Sequence, residues 1–432
     1  MTDLAEYIRT APLANTHDHQ RPESDFVARP LDVLQQLFDG GYISADLISA
    51  GAAPDDVQRL LDPQAGDIRR RFLAVADAWE ACRFTGYGEA VRTLARDVFG
   101  IDELTPDALE AAQARQQQPP PAGERLRILR DMAGLTHTQV DDFVARCAPD
   151  PSGPDFFLPD LSWLGPCSGA PDLAALLADT GVTVTDLPSL RQACEATFAR
   201  FAPLAIAVKA QHAYVRTLAW QPRSDADAAA ALQKLLANRD YGEADRLCLG
   251  DWCWARGVEL ASEHGLPFKL HTGYHAGHSG MQMEWIRPAL LSPLLKAHPQ
   301  ARFVLMHAGY PYGHELLALA KHYPNVHIDL CWAWSLDPYT TADFVRRAIH
   351  SVPANKVFAF GGDSGWPYAT LSYAAQARHW LHEALAAEVR DGYLGERDAL
   401  ALAARLMHGN ASVCFDITGR QANLRAAAAA AA

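Results

Sequence analysis

The second half of the chain alternates between short apolar runs and longer amphipathic stretches. The runs are PLAIAVKA (203–210), LPFKLH (266–271), ARFVLMH (301–307), NVHIDL (325–330) and KVFAFGGD (356–363). Between them lie PALLSPLLKAH and HELLALAKHY, whose apolar residues recur at the spacing of one helix face. Strands alternating with helices predict a parallel sheet, and near-continuous apolar runs predict strands covered on both faces. PLANTH near the N-terminus and two weaker candidates, 126–131 and 156–161, bring the number of strands to eight. A (β/α)8 TIM-type barrel of the α/β class is the economical prediction. The alternative is an open doubly wound sheet, but no glycine-rich phosphate loop follows the first run to support a nucleotide-binding version.

The first half reads differently. DIRRRFLAVADAWEACR and GEAVRTLARDVFG carry Leu and Val three and four residues apart, and Thr105-Pro106-Asp107 reads as a helix start. With no strong strand run there, the pattern predicts a mainly helical elaboration at about 50–150, over or beside the barrel. The whole is expected to be a single domain over 1–425. QQQPPPAG (116–123) is a linker-like break, no internal repeat is found, and the alanine tail 426–432 has no assigned role.

Composition narrows the class of function. The chain has 432 residues, 49% of them hydrophobic and 21% charged, with a formal net charge of −13. That balance weighs against nucleic acid and anionic membrane surfaces as partners, since both select basic patches. No apolar run reaches the ~18 residues needed to span a bilayer. MTDLAEYIRTAP is not a secretory signal, so a cytoplasmic protein acting on a small molecule is expected. Apolar helices on the outside of a barrel leave a homo-oligomer open. Eight cysteines (82, 147, 167, 194, 248, 253, 331 and 414) are scattered without a C-x-x-C pair and read as buried, reduced thiols. A metal site would therefore be built from nitrogen and oxygen.

In a barrel, the residues closing the strands face one common mouth. The first run ends in His17 and His19, which alternation puts on one side while Asp18 faces the other way. The later runs end in Lys209, His271, His307 and Asp363. Each has an ordinary reading taken singly. A histidine at a strand end is commonly hydrogen-bonded structure, Lys209 could cap a helix or pair with an acid, and Asp363 after Gly-Gly could cap the next helix. Together, imidazoles and a carboxylate without a thiolate suit Zn(II), Mn(II), Fe(II) or Ni(II) at a catalytic site.

This order of residues resembles the amidohydrolase superfamily. HTGYHAGH, RPALLSPLLKAHP, FVLMHAGYPY, ELLALAKHYPNVHIDLCWAW and GGDSGWPYA look like its amidohydrolase-2 branch, especially the amidohydrolase-like domain fused to glutamine synthetase in some plants and fungi. LMHGNASVCFDI resembles that branch's terminal helix, and WEACRFTGYGEAVRTLARDVFGIDEL is more distantly similar to uronate isomerases. The resemblance implies that His17, His19 and Asp363 hold one divalent ion, most simply zinc. His271 and His307 would hold a second, or His271 would complete a single site while His307 contacts substrate. It also implies a CO2-derived carbamate on Lys209 bridging two ions. Lys209 as a substrate contact or a Schiff-base amine stays open.

His275, His278, Tyr310, Tyr312, Trp332 and Trp334 follow the strand ends and are candidate pocket residues. Arg216 and Arg287 are candidate carboxylate anchors, and His212 lies three residues beyond Lys209. The implied activity is metal-dependent hydrolysis of a small amide, lactone or related carbonyl compound, with Asp363 as general base. The alternatives are a single-metal isomerase like the uronate enzymes, a non-oxidative decarboxylase with an arginine clamp, and a non-catalytic regulatory barrel.

Overall fold

Nine short parallel strands run through the described residues of the computed structural model, which are 3–38, 42–277 and 280–431. They are β1 (Leu13–Asp18), β2 (Leu135–Val140), β3 (Phe157–Pro159), β4 (Leu161–Ser162), β5 (Val208–Ala210), β6 (Phe268–Leu270), β7 (Phe303–Leu305), β8 (Val326–Asp329) and β9 (Val357–Phe358). β3 and β4 continue one another through Asp160. The Asp160 amide donates to Val140 on one side, and Ile206 and Leu161 pair with the β3–β5 backbone on the other. They form a single stave, so the barrel has eight. Closure comes from the segment after β9, where Thr16 N–H donates to Phe360 O, Asp363 N–H to His17 O and His19 N–H to Ser364 O.

Buried side chains, two of them lysines, fill the inside of the barrel. Lys209 on β5 is in register with Ser162 on β4 and Lys269 on β6, so all three face inward. Inside, Lys269 meets Asp160 at 2.5 Å and also donates to Thr16 O and Gln139 Oε1. Below the last strand, Asn410 donates to the Ala354 and Val357 carbonyls and ties the C-terminal helical segment to β9.

Two of the expected elements differ. Residues 126–131 are helical, with Ile128 and Leu129 buried in the turn Arg127–Met132 and Leu126 packed partly against the core. The second strand is β2 instead, LTHTQV. It has no apolar run because its buried polar residues pair inside the barrel: Gln139 lies against His137 and accepts from Lys269. Helices fill most of 23–132, so the helical segment begins well before 50, and β2 lies inside the range expected to be helical. Thr105 does start a helix, with its hydroxyl accepting from Ala108 N–H and Pro106 at the first helical position. The chain between Gln113 and Glu124 is irregular, and the alanine tail continues the helix Ile417–Ala431.

The helical segment has its own core, built on Leu34, Phe38, Leu47, Trp79, Leu94 and Phe99. That core runs on without a break into Met306, Cys331, Trp332 and Trp366 from the ends of the barrel strands. The helices therefore sit over the mouth. Among the described residues no helix is long and apolar enough to cross a membrane.

Candidate metal centre

His17 is the penultimate residue of β1 and His19 follows the strand, and their Nε2 atoms lie 3.3 Å apart. Asp363 Oδ1 stands 3.1 Å from His17 Nε2 and 3.3 Å from His19 Nε2. Asp18 points the other way. Its buried carboxylate accepts from Ser364 N–H, Asn15 Nδ2 and Thr370 Oγ1, fastening β1 to the closing segment. Asp363 does not cap the next helix, which starts at Pro367 after Trp366. The glycines before it are needed for space: a Cβ on Gly361 would lie 2.5 Å from Cys331 Sγ, and one on Gly362 would lie 2.8 Å from Asp18 Oδ1.

His271 and His307 form the second half of the cluster, with His307 Nε2 2.9 Å from His271 Nδ1. Their outer nitrogens face carbonyls, Cys331 O for His307 Nδ1 and Tyr274 O for His271 Nε2. A carbonyl only accepts, so both outer nitrogens carry the proton and the inner ones present lone pairs to each other. His19 is set the same way, its Nδ1 donating to Asp141 O at 2.7 Å. Lys209 Nζ stands 3.1 Å from His17 Nε2 and donates to Gln211 Oε1.

Acceptor atoms turned towards one another repel unless a cation lies among them. Donors around a tetrahedral zinc, bound at about 2.0–2.1 Å, stand about 3.3–3.4 Å apart. Two edges of the His17–His19–Asp363 triangle are 3.3 Å and the third is 3.1 Å, close to those separations. His307, Cys331 and Asp363 form a second group whose potential ligand atoms lie within 4.8 Å of one another, so Asp363 is common to both. Burial, reinforced by Cys331's neighbours Asp363 and Asp329, pushes the Cys331 thiol well above its usual pKa, so imidazole and carboxylate are the better donors. Burial holds His17 and His271 well below the usual histidine value and brings His307 to about 4. Burial opposes ionisation of Asp363, but the adjacent His17 and His19 rings outweigh it and keep the carboxyl well below its ordinary range, while Asp363 in turn raises His19 against the effect of burial. Neutral imidazoles and an ionised carboxylate are the forms that ligate metal.

The backbone around these groups is strained. His307, Ala308, Trp332 and Asp363 all have positive φ, and non-glycine residues hold that conformation only where the surroundings impose it.

The outlying candidates divide. Trp332 packs its ring edge-on to His307, and Tyr310 lies beside Tyr274, itself near Trp332. His275 is buried under Tyr214, which also touches His271. His278 lies outside the described residues. Arg216 is not brought to the mouth as an anchor: its buried guanidinium is held by Asp251 at 2.5 Å and by the Cys167 carbonyl. Arg287 is half exposed and engaged by Glu315, with Tyr312 beside it. His212 packs against Trp254, and Trp334 donates to Ala359 O in the core.

The residue pattern gave no sign of Tyr42, Phe143, Tyr214 or Gln211. Tyr42 OH donates to Asp363 O from the helical segment, and Phe143 stacks flat on His19 at 4.5 Å. Both positions follow elements that carry no strand-end signal of their own. Asp141, whose carbonyl orients His19, closes β2 and became visible only with that strand.

A family model described as amidohydrolase matches residues 167–417, which include Lys209, His271, His307 and Asp363. The chain belongs to the amidohydrolase family. The protein fluG of Emericella nidulans is 26% identical over 178 residues, 39% of this chain and 20% of that one. The chain thus spans about a fifth of the length of that curated relative.

Solved structures agree on the fold. A uronate isomerase from Thermotoga maritima superposes with a TM-score of 0.77 at 13% identity, covering 95% of this chain and 96% of that one. A glucuronate isomerase from Caulobacter crescentus gives 0.77 at 18%, covering 96% and 93%. A protein provisionally described as a metal-dependent hydrolase, from Lactobacillus casei, gives 0.67 at 16%, covering 97% and 99%. At these identities the likeness shows the fold alone.

Proposed function

We propose that this amidohydrolase-family protein is a metal-dependent hydrolase of a small amide, lactone or related carbonyl compound. The observation that carries the reading is the inward-facing acceptor set of His17, His19 and Asp363, continued by His271 and His307, with Lys209 against it. When bound there, one or two divalent ions, zinc by the nitrogen and oxygen donor set, would acidify a water and polarise a carbonyl. Asp363 accepts the proton of the attacking water and returns it to the departing nitrogen or oxygen. His19 and His307 keep their lone pairs inward through the Asp141 and Cys331 carbonyls. Trp332 and the helical segment above it limit access of bulk water to the reacting carbonyl.

Lys209, as the carbamate of its amine with CO2, would help hold the ions. Its buried place on the fourth stave, with Nζ beside His17, supports this. The rival single-metal isomerase leaves this lysine to contact substrate instead. Metal content per chain and the behaviour of Lys209→Ala separate the two. The hydrolase reading with a Lys209 carbamate expects two ions in the native protein. It also expects loss of one ion and most activity in Lys209→Ala, with partial return of both on adding excess metal and a short carboxylic acid. A variant with unchanged metal content and a defect confined to KM would move the assignment to a substrate contact.

A further inference from the structure

A cavity of about 400 Å3 lies beside the metal centre. It is bounded by the loop after β2, the turn after β4, and the helices Leu173–Thr180 and Leu187–Phe201. Its lining is mostly apolar, with Val144, Trp163, Pro166 and Leu176 prominent, and the Arg146–Asp179 ion pair stands at its edge.

Two lining residues join this cavity to the mouth. Phe143 lies flat against the imidazole of His19, with the planes 8° apart, so one ring borders both spaces. Ser162 is the strand partner of Lys209 and faces the same way. The Ser162 hydroxyl is buried and has no hydrogen-bond partner among the described residues. A buried hydroxyl without a partner is costly, and at the junction of cavity and mouth a ligand's polar atom would satisfy it. Phe143 itself is held at φ 65°, with its amide donating to Asp141 Oδ1. A bulky residue in that region marks a conformation imposed by its surroundings. Phe143 and Val144 are about half exposed, an unusual state for neighbouring large apolar side chains beside a polar site.

We propose that this cavity receives the apolar tail of the substrate, an alkyl or aryl chain attached to the carbonyl that reacts at the metal centre, with Ser162 hydrogen-bonding a polar atom at the junction. The proposal rests on the hydrolase reading and narrows its substrate class to acyl compounds with an apolar chain. The volume lies within the range of small-molecule sites, which combine apolar walls with a few placed polar groups. A sugar acid fits it less well, because hydroxyls placed against Val144, Trp163, Pro166 and Leu176 would find apolar wall there and not polar partners.

Straight-chain hydroxamic acids from two to eight carbons test this, since the head chelates a metal ion and the tail is free to enter the cavity. Titration calorimetry on the zinc-loaded full chain should show affinity rising about fourfold per added methylene (about 0.8 kcal/mol) until the cavity fills. Leu176→Trp should abolish the rise and leave the two-carbon compound bound as before. A series that is flat in the unaltered protein overturns the proposal, and so does a rise untouched by Leu176→Trp. A crystal soaked with the eight-carbon compound gives an independent answer that needs no variant. Tail density between Phe143 and Leu176 supports the proposal, and tail density elsewhere overturns it. A head found away from His17, His19 and Asp363 would count against the metal-centre reading, while the position of the tail still decides this one.

Discussion

His19 shows how a single side chain carries the site. Its position is fixed by an Asp141 carbonyl on one nitrogen, by Phe143 on one face and by Asp363 opposite Nε2. The His-x-His spacing was legible in the sequence because a strand's period of two puts both rings on one side. What orients the rings was not legible, since backbone carbonyls carry no sequence signature. His19→Ala should abolish metal retention at that position and nearly all turnover, leaving the fold intact because barrel stability comes from packed strands and helices. Metal analysis of the purified variant, beside its circular dichroism, checks both halves. Full metal content with full activity would return His17-Asp18-His19 to the status of a polar turn.

At the scale of elements, the apolar strands were readable and the polar one was not. β5 to β9 announce themselves as apolar runs with a polar terminus, whereas β2 hides His137 and Gln139 behind a loop-like composition. The cause is the buried ionic layer these strands share. Asp160, between β3 and β4, neutralises Lys269 on β6, and burial raises its carboxyl to about 6 against the opposing pull of that lysine. The same Asp160 oxygen lies 3.7 Å from His17 Nδ1, so this layer also underlies the metal centre.

Removing one partner of a buried pair leaves an uncompensated charge. Asp160→Ala is therefore expected to lower stability by about 3–5 kcal/mol. The double change Asp160→Leu with Lys269→Met should cost clearly less, because no charge is then stranded. Urea denaturation of the two variants measures the difference. Equal losses would mean that the pair is a packing feature and not an electrostatic one.

For the whole molecule, buried titratable groups set how stability follows pH. His137 lies outside the metal cluster, so its contribution can be read without metal binding intervening. Burial, helped by Lys269, lowers it to about 3. In the unfolded chain the same imidazole titrates near its ordinary value of about 6.5. Below that value the unfolded state binds a proton that the folded state refuses, so stability falls as the solution is acidified from about pH 6.5 towards 3. Asp18, raised by burial to about 7, acts in the opposite sense: the folded state keeps its proton while the unfolded state releases it, so its contribution weakens as pH rises from about 4 to 7. Wild-type stability alone mixes the two effects, and comparison with a neutral replacement isolates one of them. Between pH 8 and pH 5 the wild type should lose about 2 kcal/mol more than His137→Gln, from the free-energy equivalent of the displaced titration. Denaturant midpoints at a series of pH values provide the readout. Parallel curves for the two proteins would show that His137 takes up its proton in the folded barrel, and that the β2 layer is wetter than its burial implies.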